Sequence, residues 1–132
     1  MHKILVIDDD PISRKLMSRT LSSAGFECLL SPTAGSGLAA ASKERPDLVL
    51  MDVNLPDGDG IDLCRKVKSQ PALRHIPILL LTGEAVSIDC RTAGLEAGAD
   101  DYMIKTIGTK ELLSRVRRIL DDGKKPTKPL QE

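Results

Sequence analysis

The sequence predicts an α/β domain: a five-stranded parallel sheet, strand order 2-1-3-4-5, with five helices spread over both faces. Three observations lead there. Ile4 to Ile7, Leu48 to Met51 and Ile78 to Leu81 are short, unbroken apolar runs, the pattern of strands buried on both faces. Segments with helical spacing alternate with them, and parallel neighbours need such right-handed crossovers. Each run also ends in polar residues, so polar groups collect along the C-terminal edge of the sheet, where the topological switch point lies.

The first strand, Ile4 to Ile7, ends in Asp8, Asp9 and Asp10. Pro11 suits the first helical position, because its missing N–H would have had no helical partner, and Asp10 before it is a good N-cap. Ile12, Leu16, Met17 and Leu21 recur at helical spacing, and Gly25 supplies the stop. Phe26 to Leu30 is a second strand, followed through Ser31, Pro32 and Thr33 by a helix from Ala34 to Lys43. Gly35 and Gly37 weaken that helix by roughly 1 kcal/mol each relative to Ala.

The third strand, Leu48 to Met51, runs into Asp52, and Pro56, Gly58 and Gly60 then break the chain into a loop. A helix from Gly60 to Lys68 puts Ile61, Cys64 and Val67 on one side. The fourth strand ends in Thr82, Gly83 and Glu84. A fourth helix, Ser87 to Ala97, contains the poor helix formers Thr92 and Gly94. Gly98 closes it, Tyr102 to Ile104 is the fifth strand, and Lys105 follows. The last helix, Glu111 to Leu120, turns Leu112, Val116, Ile119 and Leu120 inward and Arg115, Arg117 and Arg118 mostly outward. Residues 1–122 form one domain, and the Lys- and Pro-rich stretch 123–132 has the composition of a disordered tail or the start of a linker.

Composition narrows the function classes. Nineteen basic residues balance nineteen acidic ones without a Lys/Arg block, and there is one Tyr, one Phe and no Trp, so this domain is not expected to bind nucleic acid directly. Cys28, Cys64 and Cys90 show no CxxC spacing and read as reduced thiols of a cytoplasmic protein. No apolar run approaches the roughly 18 residues of a membrane span, and Met1, His2 and Lys3 lead straight into a strand.

The order 2-1-3-4-5 makes strands one and three neighbours across the switch point, bringing Asp8 and Asp9 beside Asp52, with Thr82 and Lys105 completing the rim. Three carboxylates about 5 Å apart repel by on the order of 3 kcal/mol per pair at an effective dielectric of about 20. Protons or a cation must relieve them. Hard oxygen ligands with room for water suit Mg²⁺, and a metal, a carboxylate, a hydroxyl and an ammonium are the parts needed for phosphoryl transfer to an aspartate.

In its motifs, IDD at 7 to 9, MDVNLPDGDG at 51 to 60, LTG at 81 to 83 and GADDYMIK at 98 to 105, the chain resembles the receiver domain of two-component response regulators, over about residues 3 to 121. The resemblance implies a flavodoxin-like fold and a phosphoacceptor at Asp52, with Mg²⁺ held by Asp8, Asp9, Asp52 and the backbone carbonyl of Asn54. It implies that Thr82 and Lys105 are the switch hydroxyl and lysine and that the Tyr102 rotamer reports the state. The implied donor is a phosphohistidine on a sensor histidine kinase or histidine phosphotransfer protein. The switched surface is the fourth helix, fifth strand and fifth helix, which would serve an output domain, a partner protein or a homodimer. Activity beyond accepting the phosphoryl would be limited to self-phosphorylation and autodephosphorylation.

Receivers usually carry Pro after the lysine, commonly with a cis bond, where this chain has Thr106. A non-proline cis bond costs roughly 2.5 to 4 kcal/mol, so a trans Lys105–Thr106 bond and a shifted loop are expected. Three other readings stay open: a Mg²⁺-dependent phosphatase or phosphotransferase, a flavin or nucleotide binder, and a receiver that serves only as a docking module.

Overall fold

The structure, a computed structural model, describes residues 2–83, 88–105 and 108–124, with the side chains of 88–91 and 122–124 left aside. Its main sheet consists of β1 (Lys3–Ile7), β2 (Glu27–Ser31), β3 (Leu48–Asp52), β4 (Ile78–Thr82) and β5 (Asp101–Ile104), all parallel. Their order is β2-β1-β3-β4-β5, as expected from the sequence. Counting the two short strands of a separate ribbon along the chain, it is 2-1-3-6-7. The crossovers are α1 (Pro11–Ser23), α2 (Ala34–Glu44), α3 (Gly60–Ser69) and α4 (Ile88–Glu96), and α5 (Thr109–Lys124) follows β5.

Alternation along the strands divides the core into two layers. Leu5, Ile7, Val49, Met51, Ile78, Leu80 and Tyr102 pack with Ala41 of α2, Ile61, Cys64 and Val67 of α3 and Ala97 beyond α4. Ile4, Val6, Leu48, Leu50, Leu79, Leu81 and Met103 pack on the other face with Met17 and Leu21 of α1 and Leu112, Val116 and Leu120 of α5. With apolar layers on both faces the strands have no polar alternation. β3 and β4 are buried along their whole length, and their polar residues, Asp52 and Thr82, stand at the C-terminal ends, with Asp8 just past β1.

Several local expectations are met and several are changed. Asp10 caps α1 by accepting the Ile12 N–H at 3.1 Å. Of the apolar residues at helical spacing on α1, Met17 and Leu21 are buried, whereas Ile12 and Leu16 are 78% and 55% exposed, because the sheet covers only one side of the helix. Arg115 does not simply face outward. Its guanidinium binds the Asp101 carboxylate at 3.1 Å, Glu111 at 2.8 Å and the Tyr102 carbonyl at 3.2 Å, because the edge of β5 presents a carboxylate to α5. The last helix starts at Thr109 and continues to Lys124, beyond the expected end at Leu120, and residues 125–132 lie outside those described. Cys28 and Cys64 are unpaired; burial pushes the Cys64 thiol up to about 11, which leaves it protonated and inert, and the Cys90 side chain is among those left aside.

Between β3 and α3 the chain forms a ribbon that sequence periodicity did not reveal, Asn54–Leu55 paired antiparallel with Gly58–Asp59. Two residues per strand are too few for a period-two pattern to register. At its base, Gly60 opens α3 so close to β3 that a Cβ there would run into the Asp52 carbonyl oxygen and stand 2.8 Å from Val53 Cα. Backbone cannot give way as a flexible side chain can. Gly60→Ala is therefore expected to destabilise the fold by about 2 kcal/mol in urea unfolding, within the usual range for overpacking.

Candidate functional site

Register determines what meets at the C-terminal edge. Ile7 lies opposite Met51 and Asp52 opposite Leu81, so Asp8, one residue past Ile7, is level with Asp52. Thr82 lies opposite Ile104, which puts Lys105 one residue farther along the same edge. The Lys105 N–H donates to the Thr82 carbonyl at 2.7 Å, continuing the ladder past the last paired residue. Asp8, Asp52 and Thr82 are buried, and Asp9 is exposed.

One carboxylate oxygen from each of Asp8, Asp9 and Asp52 lies within 4.8 Å of the others, a group that could hold a metal ion. Relief of their repulsion comes from a side chain. The Lys105 ammonium sits 2.8 Å from Asp8 Oδ2 and 2.8 Å from Asp52 Oδ2, bridging the two buried carboxylates. The replacement of the usual proline by Thr106 does not keep Lys105 from the cluster; the Lys105–Thr106 bond itself lies outside the described residues.

The two carboxylates are treated unequally. Burial raises the Asp8 carboxyl, but donors from Lys105, the Asp10 N–H and the Ser13 hydroxyl outweigh it, and the net displacement is downward. For Asp52 burial prevails over the donors from Lys105 and the Asn54 N–H, and its carboxyl is held above the ordinary value. Lys105 is lowered by burial and raised by bonds to Asp52 and Asp8, with the bonds prevailing. Asp8 is thus a committed anion, while Asp52 is the carboxylate whose charge the site accommodates least well. An incoming electrophile or cation relieves that second group most.

Ser13 and Arg14 were not singled out from the sequence. The Ser13 hydroxyl donates to Asp8 Oδ2 at 2.7 Å, the Arg14 guanidinium donates to the Asp8 carbonyl at 2.8 Å, and the Asp8 N–H donates to the buried Ser31 carbonyl at 3.0 Å. The signal lay in their spacing, since residues on the first turn of a helix capped by Asp10 fold back over the turn before it. Tyr102 is also buried, its ring edge lying where a Cβ on Gly94 would come within 3.1 Å and where that same Cβ would meet Leu80 at 2.8 Å. The poor helix former in α4 is thus the residue that makes room for the ring. Asn54 is exposed, and Glu84 lies outside the described residues.

The donor set fits Mg²⁺. Three hard carboxylate oxygens, one of them exposed and open to water, match an ion that takes few protein ligands and retains several waters. A half-buried lysine beside them supplies the counter-charge.

Residues 4–117 match the family model described as the response regulator receiver domain. The chain belongs to that family. As a receiver it is a phosphoacceptor domain of two-component signalling and not a turnover enzyme. It is 40% identical over 116 residues to the DNA-binding response regulator MtrA of Mycolicibacterium smegmatis, covering 88% of this receiver and 49% of that protein. It is 40% identical over 119 residues to the transcriptional regulatory protein GltR of Pseudomonas aeruginosa, covering 90% and 49%. The receiver thus spans about half the length of these relatives. Among solved structures it is similar to a CheY-like receiver domain protein from Methanospirillum hungatei, with TM-score 0.89, 31% identity and coverage of 96% and 99%. The BeF3-activated N-terminal receiver domain of Klebsiella pneumoniae RstA aligns with TM-score 0.80 and 35% identity, covering 89% and 97%. No helix among the described residues is long and apolar enough to cross a membrane.

Proposed function

We propose that this receiver takes a phosphoryl group onto Asp52 and that the observation carrying this reading is the Lys105 ammonium, 2.8 Å from the carboxylates of both Asp8 and Asp52. An Asp52 oxygen attacks the phosphorus of a phosphohistidine on a sensor histidine kinase or histidine phosphotransfer protein. The O–P bond forms as the P–N bond breaks, and the electron pair leaves with the imidazole nitrogen. Asp8, Asp9, Asp52 and the Asn54 carbonyl would hold Mg²⁺, which when bound supplies positive charge beside the transferring group. Lys105 moves from its shared position to a phosphoryl oxygen, and the Thr82 hydroxyl donates to another. Self-phosphorylation and autodephosphorylation are the only further reactions in this reading.

The switch follows from the same groups. As Thr82 turns toward the phosphoryl, the Tyr102 ring is held in its buried place against Gly94, and the surface of α4, β5 and α5 shifts its population toward a form that binds an output domain, a partner protein or a second copy. Residues 1–122 act as the receiver unit, and 123–132, whose first two residues continue α5, serve as a tail or as the start of a linker. The domain works in the cytoplasm and does not itself contact nucleic acid.

Label transfer from a phosphohistidine donor tests the reading: Mg²⁺-dependent incorporation is expected, and failure to acquire label would leave only a docking role. By resemblance to the family, Asn54, two residues past the acceptor and exposed, would tune how water reaches the acyl phosphate. Asn54→Ala is expected to change the decay rate of the phosphorylated form, and an unaltered rate would remove its side chain from that role.

A further inference from the structure

The N-terminus of α2 is satisfied from two sources. Thr33 caps it from within the helix, its Oγ1 accepting the Ser36 N–H at 3.1 Å while the Ser36 hydroxyl accepts the Thr33 N–H at 3.3 Å. The first two helical N–H groups, those of Ala34 and Gly35, donate instead to the carboxylate of Asp57, at 2.7 and 2.9 Å, from the far side of β3 in the sequence. Two charge-assisted bonds to one helix end, aligned with its dipole, make a stiff connection.

Asp57 sits at the turn of the ribbon formed by Asn54–Leu55 and Gly58–Asp59. That ribbon starts directly after the acceptor. Its base is tied by the Asn54 N–H on Asp52 Oδ1 at 3.0 Å and by the Gly60 N–H on the Val53 carbonyl at 2.7 Å. Beyond the base, Leu55 is the one buried residue from 54 to 59, so packing holds the turn weakly. Among the described residues, the hydrogen bonds that join residues 56–58 to another element are those of Asp57.

We propose that Asp57 is a positioning residue for the phosphoacceptor site: by gripping the N-terminus of α2 it holds the ribbon, and with it the Asn54 backbone, in the place from which a cation shared with Asp52 is bound. This rests on the Mg²⁺ reading given above. A carbonyl ligand on a loop free to swing must be ordered on binding, and a ribbon already clamped to a helix avoids that cost.

Two readouts on the full chain test it. Asp57→Ala is expected to speed hydrogen exchange at the Asn54 amide without Mg²⁺ and to raise the Mg²⁺ dissociation constant by about three- to tenfold in calorimetric titration, at or below the low end for groups that orient metal ligands. Asp57→Asn, which keeps one acceptor oxygen, is expected to fall between. Thr33→Ala is the control, because it uncaps the same helix without touching the ribbon: stability is expected to drop with Asn54 exchange and Mg²⁺ affinity unchanged. If Asp57→Ala behaves as Thr33→Ala does, Asp57 is a helix cap and nothing more, and the proposal is overturned. A wild-type chain with no Mg²⁺ affinity would instead overturn the reading of the site, and unchanged Asn54 exchange in Asp57→Ala would still overturn the clamp.

Discussion

Asp52→Asn is expected to reduce phosphoryl uptake to background while making the metal-free fold more resistant to urea at neutral pH. The first effect follows because an amide cannot form the acyl phosphate. The second follows from the direction of the Asp52 displacement. Burial holds its carboxyl above the ordinary 3.8, against donors from Lys105 and the Asn54 N–H. A group whose folded value is raised binds its proton more tightly when folded, so its stabilising contribution is complete below 3.8 and is lost as pH rises through the raised folded value. At neutral pH the ionised carboxylate therefore works against the fold, and the amide removes that penalty while Lys105 keeps Asp8. The advantage is expected to shrink as pH falls through the raised value toward 3.8. Urea midpoints at neutral pH and below 3.8 check it, and a loss of stability at neutral pH would mean that Asp52 is stabilising in its charged form.

Lys105→Met has the larger effect on stability, a loss of about 3 kcal/mol at neutral pH. Removing one partner of a buried ion pair leaves the other charge uncompensated, which costs on the order of 3 to 5 kcal/mol, and the low end applies because the lysine keeps some contact with solvent. Here two carboxylates lose the same partner. The Asp52→Asn, Lys105→Met double variant is therefore expected to lose less than the sum of the singles, since one of the abandoned charges is gone. Mg²⁺ should restore part of the loss in Lys105→Met by binding the folded state alone. The pH dependence has the opposite sense to an acid's. Lys105 is raised in the fold, so its contribution is complete below 10.5 and is lost as pH rises through the raised folded value. Alkaline unfolding at a pH just above 10.5 should weaken the wild type more than the variant. Equal urea midpoints for wild type and Lys105→Met, without Mg²⁺, would show that the ammonium does not relieve the cluster.

The sheet was legible because its strands are buried on both faces, so Leu48 to Met51 and Ile78 to Leu81 stand out as unbroken apolar runs whose ends name the site. Asp8, Asp52, Thr82 and Lys105 follow from that alone once the strand order is assigned. Less visible was anything determined by which side of an element is covered. Ile12 and Leu16 match the helical period as well as Met17 and Leu21 do, and only the side of α1 that meets the sheet distinguishes them. The bridge that Lys105 makes between two carboxylates was not legible either, because it depends on side-chain reach and not on spacing. Asp57 carried no expectation from the sequence, and its grip on α2 spans 22 positions, a separation at which local sequence carries no signal. Gly94 read as a flaw in a helix until Leu80 and Tyr102 were seen to occupy its missing Cβ.

The most direct test asks where the phosphoryl resides. Chain phosphorylated in the presence of Mg²⁺ is reduced with borohydride, which converts an aspartyl phosphate to homoserine, and its peptides are sequenced. Homoserine at position 52 and nowhere else is the expected result. Conversion at Asp8, at Asp9 or at a residue away from the cluster, with Asp52 intact, would contradict it.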